Sequence, residues 1–199
     1  YVKEQGLYNP ANEQDSCGVG FVSHIKGKRS HEIVERGLKV LDHMTHRGAE
    51  GADGITGDGA GILIQIPRDF YVSKGIELPE EGKFATGMVF LPNDEKKAEE
   101  YLNDFTGVLK DEQLEVLCVR DVPVDNSCLG PISKNAEPII KQVFVTSSLE
   151  KSLFERKVYV ARKVIENKMI NAGVPGDQFH IPSFSTKIVI YKGMLTAWQ

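Results

Sequence analysis

Three cysteines occur among the 199 residues, Cys17, Cys118 and Cys128, and no two of them form a C-x-x-C pair. That spacing suggests neither a disulfide framework nor a zinc or iron–sulfur knuckle, whereas an odd count leaves room for one reactive thiol. Cys17 has the most unusual surroundings, because Gly18 and Gly20 follow it directly and glycine lets backbone pass close to a reacting group. By itself this is equally the setting of a small core hydrophobe, since free cysteine is among the most buried residue types. The second chemistry-bearing stretch is THRGAEGADGITGDGAG, residues 45–61, with six glycines. Within it Asp58 either orients a loop beside a site or performs ordinary Asp-Gly turn chemistry.

Other groupings carry less. Gly57, Gly59 and Gly61 space as G-x-G-x-G, and the apolar run follows them instead of preceding them, so no dinucleotide loop is expected. His43 and His46 lie three apart without a third ligand, which makes a poor zinc site. His24, His31 and His180 are scattered and no serine triad accompanies them. With 24 Lys plus Arg against 28 Asp plus Glu, the net charge is -4. No basic stripe is available for phosphates, which argues against a nucleic-acid partner. No apolar run approaches the roughly 20 residues a bilayer requires, so no membrane span is expected and the expected location is cytoplasmic.

The elements that must position these groups follow from periodicity. Residues 1–16 are polar, carry Gly6 and Pro10, and have the pattern of a loop-rich leader. CGVGFVSHI predicts an early strand. After the Gly27 turn, Ser30 can cap a helix whose apolar positions Ile33, Val34, Leu38, Leu41 and Met44 recur at helical spacing. AGILIQIP predicts a strand closed by Pro67, and further strands are expected at 84–91, 114–122 and 138–145. Phe84, Met88 and Phe90 alternate with Ala85, Val89 and Leu91, so the 84–91 strand should be covered on both faces. A largely solvated helix is expected at 94–106. A longer one at 148–172 has Leu153, Phe154, Val158, Ala161, Val164, Ile165 and Met169 on its stripe, Ser147 with Glu150 as a capping box, and Gly173 with Pro175 as its stop. FHIPSF and KIVIYKG predict a final pair of strands. Helices among two-sided strands suit an α+β architecture with stacked sheets, but periodicity leaves a doubly wound parallel sheet open as well.

The order CGVGF, helix, HRGAEGADGITGDGAG, ILIQIP resembles the start of the glutaminase domain of the glutamate synthases, a class II glutamine amidotransferase branch of the N-terminal-nucleophile hydrolases. The similarity continues through IPRDFY, FERKVYVARK and VIYKGMLTAWQ and covers nearly the whole chain. It implies a four-layer αββα sandwich, here carboxy-terminally truncated, with residues 1–16 as a propeptide ending in QDS and 17–199 as the amino-terminal part of the amidotransferase domain. It also implies cleavage between Ser16 and Cys17. Once Cys17 is residue one, its α-amino group (ordinary pKa about 7.7–8.0) and its thiol (about 8.5) are matched for proton transfer, so the nucleophile carries its own base. The implied reaction is hydrolysis of glutamine to glutamate and ammonia through a Cys17 thioester. Arg47 matches an arginine close to that cysteine, Gly48 lets the backbone pass tightly, and Asp58 falls in the same active-site stretch.

Further implications concern what lies outside these residues. The family's carboxylate-holding arginine motif and its oxyanion-hole Asn-Gly pair have no counterpart before Gln199, so the 199 residues alone are expected to be inactive. A complete enzyme would pass ammonia to a synthase domain of the same polypeptide that aminates 2-oxoglutarate, using FMN and an iron–sulfur cluster, neither of which this fragment is expected to hold. Electrons would come from a reductase subunit using a nicotinamide cofactor or from ferredoxin. Two rival readings remain: an amidotransferase with a phosphoribosyl or aspartyl ammonia acceptor, and a non-catalytic module that kept the fold.

Overall fold

The computed structural model describes residues 6, 7, 9, 17–51 and 53–199. The expected leader, apart from three positions, and with it Ser16, lies outside the described residues. Six strands and five helices are formed among those described. Strands β2 (Phe84–Leu91), β3 (Glu115–Asp121), β4 (Ile139–Thr146) and β5 (Phe184–Ser185) form one sheet in the order β3-β4-β2-β5. Strands β1 (Ala60–Gln65) and β6 (Ile188–Gly193) form a second. Each of these pairings is antiparallel, which rules out the doubly wound parallel alternative for the described residues.

Side-chain alternation along β2 and β4 divides the core in two. Ala85, Val89, Leu91, Val143 and Val145 point to one face, where α3 (Glu95–Asp111) contributes Phe105 and Leu109 and α5 (Lys151–Asn171) contributes Phe154, Val158, Ala161 and Ile165. Phe84, Met88 and Phe144 point to the other, where they meet Val189 of β6 and Tyr71 of α2 (Arg68–Ser73). β2 is thus covered on both sides, as its double alternation predicts. Polar groups sealed between the sheets are paired, as burial demands: Gln142 accepts from Arg120 Nε at 2.9 Å and donates to Thr86 Oγ1 at 3.0 Å, and the Tyr71 and Tyr191 hydroxyls meet at 2.7 Å.

Several expectations need correction. No strand forms at 17–25: among the described residues no backbone pairs with the segment, and Val19 and Phe21 are 86% and 90% exposed. The 94–106 helix is longer and less solvated than expected. Capped by Asp94, it continues through Gly107 to Asp111 because Ala98, Phe105, Val108 and Leu109 share a buried face. Ser147 makes no capping box. Its hydroxyl donates to Gln113 O, and Glu150 caps α5 by accepting from Ser152 N. Leu153 and Val164 lie on the exposed side of α5, whereas Gly173, at φ +75°, ends it as expected. FHIPSF yields strand only at Phe184, with one further bridge between His180 and Phe90, since Pro182 has no N–H to offer a ladder. The short helices α2 and α4 (Pro131–Asn135) lack enough turns to show a period and were not anticipated.

Helix α1 (His31–His43) lies against β1, with Gly37 facing Ile62. Its inner face, Ile33, Val34, Val40 and Leu41, is only half-buried, and none of its residues is fully covered. Phe144 carries much more of the packing, meeting Tyr71 edge-on at 5.2 Å between the sheets. Replacing Phe144 by Ala is expected to lower unfolding free energy by about 3–5 kcal/mol in urea titration. An unchanged midpoint would place the intersheet core elsewhere.

Candidate active site

Two glycines bring Cys17 to the end of α1. A Cβ on Gly20 would lie 2.4 Å from Val40 Cγ1, and one on Gly18 would lie 3.0 Å from Arg47 Cβ and 3.3 Å from Met44 Sδ. The segment can press against the helix because it has no side chain at those two points. Cys17 itself is exposed, with Sγ 3.8 Å from the Gly18 carbonyl. Beyond His43 the chain tightens into a 3-10 turn, Thr45–Arg47, in which Arg47 N donates to Met44 O at 2.7 Å. Gly48 N closes the next step on Thr45 O at 3.1 Å.

The glycine-rich stretch is more ordered than its composition suggests. Glu50 and Gly57 form an antiparallel bridge, Gly51 N donates to Thr56 O at 2.7 Å, and Asp58 N donates to Ala49 O at 3.2 Å. At the tip of this hairpin the Asp53 carboxylate accepts from Thr56 Oγ1, Thr56 N and Ile55 N at 2.6, 2.8 and 3.1 Å. The Thr56 hydroxyl, then the two backbone N–H groups, hold that carboxyl below its ordinary range. Gly59 follows at φ +139°, a conformation that needs glycine. Gly57 stacks on the peptide after β6, where an added Cβ would fall 2.2 Å from the Leu195 carbonyl and 2.3 Å from Thr196 N.

These approaches enclose a cleft of about 210 Å³ whose walls include Cys17, Arg47, Gly48 and Asp58. All four residues singled out in the sequence within 17–199 therefore face one space. A Cβ on Gly48 would stand in ordinary contact with Asp58 Oδ1, at 3.8 Å, so the two positions adjoin. The cleft also takes in Glu50 and the turn Leu195, Thr196 and Ala197, none of which the sequence reading selected. Thr196 is 6% exposed and its hydroxyl has no hydrogen-bond partner among the described residues.

Neither His43 nor His46 lines the cleft, and both are exposed. His24 Nδ1 accepts from Lys26 N at 3.2 Å, His31 faces Glu35 at 3.6 Å, and His180 Nε2 lies 2.7 Å from Lys192 Nζ. Burial, then the Lys192 charge, pushes His180 below its ordinary value. Among the described residues no three His, Cys, Asp or Glu side chains converge as a metal-holding group.

A thiol, an arginine and a carboxylate thus share one cleft beside antiparallel sheets. The chain belongs to the class II glutamine amidotransferases, whose family model matches residues 17–199. Its relatives include the glutamate synthase [NADPH] large chain of Bacillus subtilis, 41% identical over 99% of this chain and 13% of that protein. The glutamate synthase [NADH] of Schizosaccharomyces pombe is 40% identical over 99% of this chain and 10% of its own length. The ferredoxin-dependent glutamate synthase 2 of Synechocystis is 36% identical over 92% and 12%. The chain thus spans 13% or less of the length of these relatives.

The cysteines should separate by reactivity. Burial raises the Cys118 thiol above its ordinary value, so a smaller fraction is thiolate at any given pH, whereas Cys17 is exposed. Iodoacetamide near neutral pH is expected to modify Cys17 before Cys118, with the gap narrowing as pH rises. Peptide mass mapping showing Cys118 modified first would contradict this geometry.

Proposed function

We propose that this chain forms the glutaminase site of a glutamate synthase, with Cys17 as nucleophile after removal of the residues before it. The observation that supports this reading best is the convergence of Cys17, Arg47, Gly48 and Asp58 on one cleft. While Ser16 remains attached, the Cys17 nitrogen is an amide without a basic lone pair, so cleavage is activating. The freed amine then takes the thiol proton, and the thiolate attacks the side-chain carboxamide carbon of glutamine. The same ammonium returns its proton to the departing nitrogen, releasing ammonia and leaving a Cys17 thioester. Water, deprotonated by the amine, attacks that thioester and frees glutamate and the thiol.

Arg47 and Asp58 organise the cleft around the sulfur, and Gly48 lies between them in its wall. The packing of α1 on β1 and of α3 and α5 on the four-stranded sheet supports reading the fold as a four-layer αββα sandwich. We further propose that ammonia passes to a synthase domain of the same cytoplasmic polypeptide that aminates 2-oxoglutarate. That region, with its flavin and iron–sulfur cluster, would draw electrons from a reductase subunit or ferredoxin.

The test uses full-length polypeptide whose amino terminus has been sequenced. Cys17→Ala is expected to reduce ammonia release from glutamine to background. Wild-type protein beginning at Cys17 should gain the mass of one glutamine-analogue electrophile, 6-diazo-5-oxo-L-norleucine, on that residue. A protein with its leader retained that still releases ammonia at full rate would sink the proposal. The isolated 199-residue chain contains no Asn-Gly pair and should hydrolyse glutamine at least about 10²-fold more slowly than the full-length protein.

A further inference from the structure

The Gln199 carboxamide joins three segments that are distant in sequence. Its Oε1 accepts from Thr196 N at 2.9 Å, while Nε2 donates to Cys128 O at 2.8 Å and Ile55 O at 3.3 Å. Gln199 N also donates to Thr196 O at 3.3 Å, closing the turn. The held Thr196 N belongs to the same peptide on which Gly57 stacks. Ile55 lies in the hairpin two residues before Gly57, and Asp58 is the residue after it. On the third side, a Cβ on Gly130 would lie 2.8 Å from Asp53 Oδ2, so the segment carrying Cys128 packs on the hairpin tip.

We propose that Gln199 is a positioning residue for the glutamine-hydrolysing cleft: it holds the 53–58 hairpin against the Leu195–Ala197 turn and so fixes Asp58 and the wall facing Cys17. This rests on the glutaminase reading above. The carboxamide is suited to the task because it accepts on one side and donates twice on the other. Glutamate has the same shape and can accept from Thr196 N, but its carboxylate can only confront the Ile55 and Cys128 carbonyls with like partial charge. Leucine makes none of the three bonds.

The test compares wild type, Gln199→Glu and Gln199→Leu in the full-length polypeptide, using two labels for Cys17. Iodoacetamide reports exposure and acidity of the thiol, whereas 6-diazo-5-oxo-L-norleucine also requires the shaped cleft. Both variants are expected to lose about tenfold or more in diazo-oxonorleucine labelling rate and in kcat for ammonia release, the scale on which small misplacements act. Iodoacetamide labelling should stay within about twofold, again because the sulfur itself is not displaced. Should Gln199→Leu fail to fold, the near-isosteric Gln199→Glu, checked by its melting temperature, decides alone. Variants that label and turn over like wild type overturn the inference, as does an equal fall in both labels, which marks a purely structural role. Failure of the wild type itself to react with diazo-oxonorleucine overturns the glutaminase reading beneath it instead.

Discussion

The site depends on one close approach of backbone to backbone, the pairing of β1 with β6 and the run of chain just beyond it. Ala60 pairs with Gly193, and past that register the Leu195–Thr196 peptide comes to rest on Gly57. Within the ladder, a Cβ on Gly61 would already stand 2.6 Å from Lys192 Cβ. Side chains at 57 or 61 would force the strands apart. With the strands apart, Leu195–Ala197 would leave the cleft and Cys17 would face open solvent on that side.

Stability is distributed unevenly around this contact. The four-stranded sheet is sealed on one face by α3 and α5, with Phe105, Leu109, Val158, Ala161 and Ile165 all fully buried. Glu155 adds a polar tie from α5 to the β5 corner, accepting from Ser185 Oγ at 2.7 Å and Thr186 N at 2.7 Å. The cleft stands on the thinner half: two strands, a helix with no fully buried residue, and a glycine-rich hairpin braced by Asp53. Regions with few buried apolar contacts open first. The chemistry-bearing residues therefore sit where local opening costs least, on a base that does not share it.

How much of this was legible follows from the kind of information each residue carries. The two-sided strand at 84–91 was readable because both of its alternating faces are apolar, and the stop of α5 because Gly173 and Pro175 follow it. Cys17, Arg47 and Asp58 were picked out because their side chains have chemistry and their surroundings resemble a known family, and the fold places all three on one cleft. What the sequence hid were contributions made through backbone. The Leu195–Ala197 wall has no side-chain signature, and Gln199 looks like any surface amide until its three partners are placed. The strand expected at 17–25 failed for a related reason: its apolar residues suit a strand, but pairing requires a neighbour, and here glycines lay the segment on α1 instead. Ser147 was equally persuasive as a cap, yet the helix begins only at Lys151, with Glu150 in the capping position.

The β1–β6 ladder also has a meaning for the order of events during synthesis. Its two strands are separated by roughly 130 residues of chain, which a ribosome takes on the order of ten seconds to make. Throughout that interval the thiol has emerged but the wall opposite it does not exist. A nascent chain therefore carries a chemically plain cysteine, and its special surroundings arise only after the intervening core has been translated. Self-processing that used those surroundings would be timed by translation itself, with no separate factor needed to hold the cysteine in check.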